Sequence, residues 1–421
     1  MNKASGNLIA ACGQMQATTL AESAAVWPAI ERLAEQAAAA RADLLVLPET
    51  TYPAYWLESA TRYMRPEILR SAEVLKRFSA VARQRGFYLV AGFVEEREGK
   101  LFNSAAMFDR GGDLVGIARK NFLWDCDNRW FSPGDSLVTV DTEFGRVGML
   151  ICADCRAPEI TATLVADGAR MLILPTAWVN AAKGSGVFRN VHPEFLIRAR
   201  AMEFGVPFVC ASKTGREGQY LEYVGQSRIV SAEGKTLADA PIAGECLIFA
   251  EVQPTEGRLI DFESEDRQRI LSKEPPHAAE KPGHRVSVDV NQPVDGIQRD
   301  LEAGGARVES LPPNALLSFA PARRDALEGA QVIIVHGHVA DEGFARARAA
   351  ENRVFVWAAN ATTQFVVRPD GSFAYRDGER VGRIELDLAQ AVLKQFTPET
   401  DIWAQRRVSC YRLPAPAAVT T

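Results

Sequence analysis

Histidine is scarce, five in 421 residues, and none precedes His192. A tetrahedral zinc site needs four ligands, and around Cys152-x-x-Cys155 only Cys126 is near enough in sequence to add one, so no metal centre is expected there. The scarcity also limits Cys–His catalysis. His277 and His284 lie in a charged, proline-bearing stretch and His336 and His338 on a later strand, which leaves His192 as the one candidate partner. The opening residues carry an apolar stretch of only about five, short of a signal-peptide core and of the ~20 that a membrane span requires. A cytoplasmic protein is expected. Seven cysteines, odd in number and scattered, argue against a disulfide framework. Forty-eight basic against fifty-three acidic residues leave −5, and no Lys/Arg run interleaves with aromatics, so neither nucleic acid nor an anionic membrane is an expected partner.

What is present is an average soluble composition, 47% hydrophobic and 24% charged, on a chain long enough for more than one domain. Short apolar runs alternate with helical patterns over the first 265 residues. Strands are predicted at 8–14, 44–47, 87–94, 171–175 and 206–212, and helices at 21–41, 67–85, 158–168 and 192–205. Segments 101–119, turning on Gly111-Gly112, and 227–237, about Glu233-Gly234, read as hairpins, and 137–142 with 146–152 as a strand pair. Strands that meet both helices and hairpins imply a mixed sheet. Residues 264–288 shift to charge and proline and read as a linker. Beyond it, Gly329-Ala-Gln-Val-Ile-Ile-Val-His336 echoes Gly168-Ala-Arg-Met-Leu-Ile-Leu-Pro175. In the same order, the segment from Arg346 to Ala359 echoes that from Arg198 to Ala211, which suggests a partial internal repeat.

The chemistry concentrates where strands end. In Gly145-Arg-Val-Gly-Met-Leu-Ile-Cys152-Ala-Asp-Cys155-Arg-Ala-Pro158-Glu159 an apolar strand stops at Cys152 and a helix starts near Pro158. A thiol near that positive helix end is expected to favour its thiolate. Cys152-x-x-Cys155 also has the spacing of a dithiol redox pair, without the surroundings of a thioredoxin-like domain. With one candidate histidine, a carboxylate base is worth seeking. Glu49 ends Asp43-Leu-Leu-Val-Leu-Pro-Glu49 beside Tyr52, Tyr55 and Trp56, apolar walls able to raise its pKa. Lys120 ends the hairpin. Taken singly, each has a bland reading: a buried strand-end thiol, a surface loop acid, a solvated charge.

Together, Glu49, Lys120 and Cys152 resemble the Glu–Lys–Cys triad of the nitrilase (carbon–nitrogen hydrolase) superfamily, in its amidase and carbamoyl-amide branch. The likeness spans about residues 5–262 and rests on five ordered elements: Leu-Pro-Glu49; Arg-Lys120 with a loop ending Phe131-Ser-Pro-Gly-Asp135; Ile-Cys152-x-Asp-x-Arg156-x-Pro-Glu159; Arg-Ala-Met-Glu203; and Gly225-Gln-Ser-Arg-Ile followed by Glu-Gly. Members usually carry a further Glu before the Phe-x-Pro-Gly element, where this chain has Asp127, with Asp125 as the alternative.

The resemblance implies an α/β fold, a four-layer α-β-β-α sandwich over 1–265, then a linker at 266–288 and a degenerate, non-catalytic partial repeat at 289–421. It implies hydrolysis of a small amide or N-carbamoyl compound: Glu49 as base, Cys152 as nucleophile, Lys120 and the backbone N–H of Ala153 holding the oxyanion, Asp127 orienting. No metal or organic cofactor is implied. Tyr52, Trp124, Arg156 and Trp178 are the candidate substrate-binding residues, beside Ala153. The alternatives are a nitrilase and a catalytically dead binding or assembly module. For the second half the dead module is preferred, because Arg346, Glu351 and Asn360 are its only similar groups and His336-Gly-His338 offers a metal pair with no third ligand. A homo-oligomer with the second half as an internal pseudo-subunit is the expected assembly.

Overall fold

The computed structural model describes residues 6–182, 185, 187–275, 284–337, 339, 341–360, 363–379 and 381–415. They fall into two compact units, one within Met1–Leu259 and Ser409–Arg412, the other within Ile260–Val408 and Leu413–Thr421.

The first unit is built on two sheets. One contains β1 (Leu8–Gln16), β2 (Leu44–Val46), β3 (Tyr88–Arg97), β4 (Lys100–Phe108), β5 (Leu114–Arg119), β10 (Lys213–Glu217) and β11 (Leu221–Val224), in the order β11-β10-β1-β2-β3-β4-β5. β14 (Cys246–Val252) pairs antiparallel with β1. The other contains β6 (Val138–Thr142), β7 (Gly145–Met149), β8 (Met171–Pro175), β9 (Phe208–Ala211), β12 (Arg228–Val230) and β13 (Thr236–Asp239), in the order β13-β12-β9-β8-β7-β6. β1–β2–β3 and β7–β8–β9 are parallel runs. β2 and β8 are buried along their whole length, as strands covered on both faces must be.

Strands β1 to β3 face β8, β9 and β12. Helices α1 (Val26–Ala39) and α3 (Ser71–Arg85) pack on the first sheet, and α5 (Pro158–Ala166) and α6 (Ile197–Phe204) on the second. In α1 the stripe Val26, Ala29, Ile30, Leu33, Ala34 and Ala37 is buried, which is the spacing of one helical face. The result is the expected α-β-β-α sandwich. Two short helices, α2 (Ala60–Tyr63) and α4 (Asp127–Trp130), sit in loops. The helix predicted from residue 21 is divided, a 3-10 turn Leu20–Ala25 preceding α1, and that predicted from 67 starts at Ser71.

The second unit corrects the linker reading. Residues Ser264–Leu271 form α7, which buries Asp266 and Ile270 and packs on α9 (Ala320–Leu327). Its charges find partners there: Arg324 donates to Asp266 at 2.7 Å, and Arg269 to Glu328 at 2.5 Å. β15 (Arg285–Asp289) and α8 (Val294–Ala303) follow, then β16 (Val308–Leu311), β17 (Val332–His336), α10 (Glu342–Asn352), β18 (Phe355–Ala359), β19 (Gln364–Val367), β20 (Phe373–Arg376) and β21 (Arg383–Asp387).

The repeat runs deeper than the two echoes. Arg146 to Pro175 align without a gap on Arg307 to His336, so β7, the 3-10 turn Cys152–Arg156 and β8 correspond to β16, the 3-10 turn Pro313–Leu317 and β17. The sheet order β16-β17-β18-β19-β20 reproduces β7-β8-β9-β12-β13 with the same strand senses, and the register shift at Ile229/Val230 recurs at Val366/Val367. A buried clamp recurs as well. Arg200 donates through Nε to the Cys155 carbonyl at 3.1 Å and pairs with Glu203, while Arg348 donates through Nε to the Leu316 carbonyl at 3.1 Å and pairs with Glu351.

Removing one partner of a buried ion pair strands the other charge, at about 3–5 kcal/mol. Arg348→Ala should therefore destabilise the protein by about that amount in urea denaturation; a parental midpoint would show that the clamp does not hold this unit.

Candidate active site

The carboxyl ends of the parallel strands deliver the chemistry. β2 runs out into Leu47-Pro48-Glu49, a turn pressed against β3 at Gly92: a Cβ there would lie 2.5 Å from the Pro48 carbonyl oxygen and 2.7 Å from Glu49 Cα. Glu49 N–H donates to the Thr176 carbonyl at 3.3 Å, tying the ends of β2 and β8, and so the two sheets, together. Lys120 follows β5. Its N–H donates to the Asn103 carbonyl and its own carbonyl accepts from Gly134 N–H, each at 2.8 Å. Cys152 follows β7. Cys152 and Thr50 both lie in the left-handed region, with φ of 47° and 41°, a strain of roughly 1–3 kcal/mol at each.

Asp154 holds the nucleophile turn to the lysine loop. One of its carboxylate oxygens accepts from Asn121 N–H at 2.9 Å and Phe122 N–H at 2.7 Å, the other from Ile151 N–H at 2.9 Å. Burial, opposed by these hydrogen bonds, pushes its pKa up to about 7.

Glu49, Lys120 and Asp127 are wholly buried and in contact. Lys120 Nζ lies 2.7 Å from Glu49 Oε1 and 2.6 Å from Asp127 Oδ2. Burial works against the ammonium, but the charges of Asp127 and Glu49 prevail and keep Lys120 well above its ordinary pKa. Burial raises the Glu49 pKa, with Lys120 opposing and Asp127 adding. Glu49 Oε2 has no hydrogen-bond partner at ordinary N/O distances among the described residues, and the carboxylate interacts with the Cys152 thiol. Cys152 corrects the thiolate expectation. Burial and the charge of Glu49 push it to about 12, outweighing Lys120, so the resting group is a thiol.

Among the other candidates, Asp127 rather than Asp125 meets Lys120; it also accepts from Trp124 N–H at 2.8 Å and Asn103 Nδ2 at 3.3 Å. Arg156 lies over the Trp124 ring at 4.4 Å. Ala153 is buried beside the nucleophile. Trp178 is fully buried, stacks on His192 at 6.0 Å, and its indole N–H has no partner among the described residues. Tyr52 is misplaced as a pocket wall. Its ring packs on Trp27 at 5.2 Å within the core and its hydroxyl accepts from Leu69 N–H at 2.8 Å. His192 is buried against the Cys152 backbone; burial, then the charges of Arg156 and Lys120, hold its pKa well below the usual value.

Asn103 and Asp154 have roles that sequence reasoning missed, although Asp154 stands within the quoted motif. Tyr55, noted only as a flank of Glu49, has Lys120 Nζ 5.6 Å from its ring centre. Among the described residues no three His, Cys, Asp or Glu side chains are grouped to hold a metal, and His338 lies outside those residues. No described helix is long and apolar enough to cross a membrane.

A buried thiol, a carboxylate and a lysine gathered at strand ends are the groups a cysteine-dependent hydrolase requires. Residues 8–260 match the carbon-nitrogen hydrolase family, and the chain belongs to it, in the nitrilase superfamily. It is a hydrolase acting on carbon–nitrogen bonds other than peptide bonds. An omega-amidase of Xenopus tropicalis is 32% identical over 251 residues, covering 57% of this chain and 84% of the relative. The N-carbamoylputrescine amidase of Arabidopsis thaliana is 27% identical over 238 residues, covering 53% and 79%. Among solved structures, a carbon-nitrogen hydrolase from Helicobacter pylori superposes with a TM-score of 0.54 at 25% identity, covering 59% of this chain and 90% of that one.

The close approach at Gly92 can be tested directly. Gly92→Ala should shift Glu49 and lower turnover by about 100-fold, the usual cost of displacing a reacting group by an ångström. Parental turnover would show that the contact does not set the position of the base.

Proposed function

We propose that the first unit hydrolyses a small amide or N-carbamoyl compound through a thioester on Cys152. Glu49 takes the thiol proton as sulfur attacks the carbonyl carbon. Lys120 and the Ala153 N–H stabilise the oxyanion. As the C–N bond breaks, Glu49 gives the proton to the leaving ammonia or amine. It then takes one from the water that attacks the thioester and returns it to the Cys152 sulfur as the C–S bond breaks, releasing the acid. The observation that supports this reading is the asymmetry of Glu49: Oε1 is held by Lys120 and Asn103, and Oε2 has no hydrogen-bond partner among the described residues.

Amides are favoured over nitriles because the motif reads Cys152-Ala-Asp154 and because relatives carry amidase names. We assign Trp124, Arg156 and Trp178 to the substrate pocket; the unpartnered Trp178 indole N–H supplies a donor. Seven cysteines, odd in number and scattered along the chain, suit a reducing, cytoplasmic setting. We assign the second unit no catalysis, since Pro313 stands where Cys152 stands in the first; we take it as an internal pseudo-subunit within an oligomer that sedimentation would size.

Cys152→Ala should abolish hydrolysis and Cys155→Ala leave most of it; the reverse would refute the nucleophile assignment. Intact-mass measurement after incubation with a panel of amides, nitriles and N-carbamoyl compounds should find an acyl adduct on the parent and none on Cys152→Ala. Because the buried Glu49 must be ionised to act, the acid limb of kcat/KM should lie above the ordinary carboxylate value of about 4.3. A limb at that value would refute Glu49 as the buried base.

A further inference from the structure

Asn103 is 1% exposed on β4, a neutral side chain among charges. Its Nδ2 donates to Glu49 Oε1 at 2.7 Å and lies 3.3 Å from Asp127 Oδ1, while its backbone carbonyl accepts from Lys120 N–H. The orientation of the amide is fixed by its neighbours, because an oxygen in the place of Nδ2 would meet two acceptors. One residue thus touches the base, the lysine backbone and the orienting acid.

We propose that Asn103 is a positioning residue that bridges the two carboxylates, keeps Glu49 ionised at working pH, and holds Oε1 so that Oε2 stays free of other donors. The inference rests on the reading of Glu49 as the base. Two buried carboxylates around one ammonium repel each other, and a neutral donor shared between them offsets that repulsion without adding charge. A hydrogen bond donated to a carboxylate favours its ionised form, so losing it raises the pKa. The charged and titratable groups facing Glu49 are Lys120, Asp127, Cys152, Lys213, Tyr55 and Tyr223. Lys120 also donates to both acids but brings charge of its own, whereas Asn103 bridges them as a neutral donor.

The test compares the parent with Asn103→Ala and the near-isosteric Asn103→Asp in two pH profiles: amide turnover, and alkylation of Cys152 by iodoacetamide read by mass spectrometry. The acid limb of both should move to higher pH, by about one unit in Asn103→Ala and further in Asn103→Asp, where a third carboxylate faces Glu49. A fall in amplitude with an unmoved limb in either folded variant would overturn the proposal and leave Asn103 a packing residue. If the parent hydrolyses no amide, the functional reading fails separately, and the alkylation profile still decides the role of Asn103.

Discussion

Lys120 is an ammonium with no access to water, and such a charge persists in a protein interior only where counter-charges and hydrogen bonds replace its hydration. Two carboxylates do so here, at 2.7 and 2.6 Å. One of them, Glu49, is also the proposed base that accepts a proton from Cys152. The demands conflict, since a carboxylate locked onto a cation is a poor base and a free one leaves the cation stranded. The geometry separates the two oxygens: Lys120 and Asn103 hold Oε1, and Oε2 has no hydrogen-bond partner among the described residues.

That resolution constrains the architecture around it. Glu49 and Lys120 come from the ends of strands in one sheet and Cys152 from a strand of the other, so the sandwich must fix the sheets relative to each other. The Glu49–Thr176 backbone hydrogen bond and the three bonds accepted by Asp154 do this at the site itself. Two of the eight described non-glycine residues with positive φ, Thr50 and Cys152, lie at the two turns that carry Glu49 and the Cys152 thiol. Strain is tolerated where the surrounding contacts over-determine the backbone.

The cluster of Glu49, Lys120 and Cys152 was legible in the sequence because punctuation marks it: an apolar strand ending in Leu-Pro-Glu49, another in Ile-Cys152-x-Asp154. Asn103 was not, since a single polar residue inside a hairpin strand reads as a solvent-facing position, and its partners Glu49 and Asp127 are distant along the chain. Tyr52 was misassigned for the opposite reason. It is near Glu49 in sequence, but its side chain leaves the turn toward Trp27 and the core. Charge composition marked 264–271 as a linker, whereas Asp266 and Arg269 are neutralised by residues nearly sixty positions onward. The helix-end argument for a thiolate failed because Cys152 starts a separate 3-10 turn and is buried beside Glu49.

The repeat separates scaffold from catalysis within the first unit. Turn, strand register and Arg–Glu clamp all survive in the second unit, where Pro313 takes the nucleophile position. A device kept without a thiol is not there for the thiol. Arg200 and Glu203, part of the motif by which the family is recognised, therefore act on the fold, holding α6 to the carbonyl of Cys155. What the second unit lacks is the stretch from β2 to β6, for α8 leads directly into β16, the counterpart of β7. Glu49, Asn103, Lys120 and Asp127 all lie in that stretch. The charged cluster is an addition carried by the first sheet, set opposite a turn that the second sheet forms with or without a nucleophile.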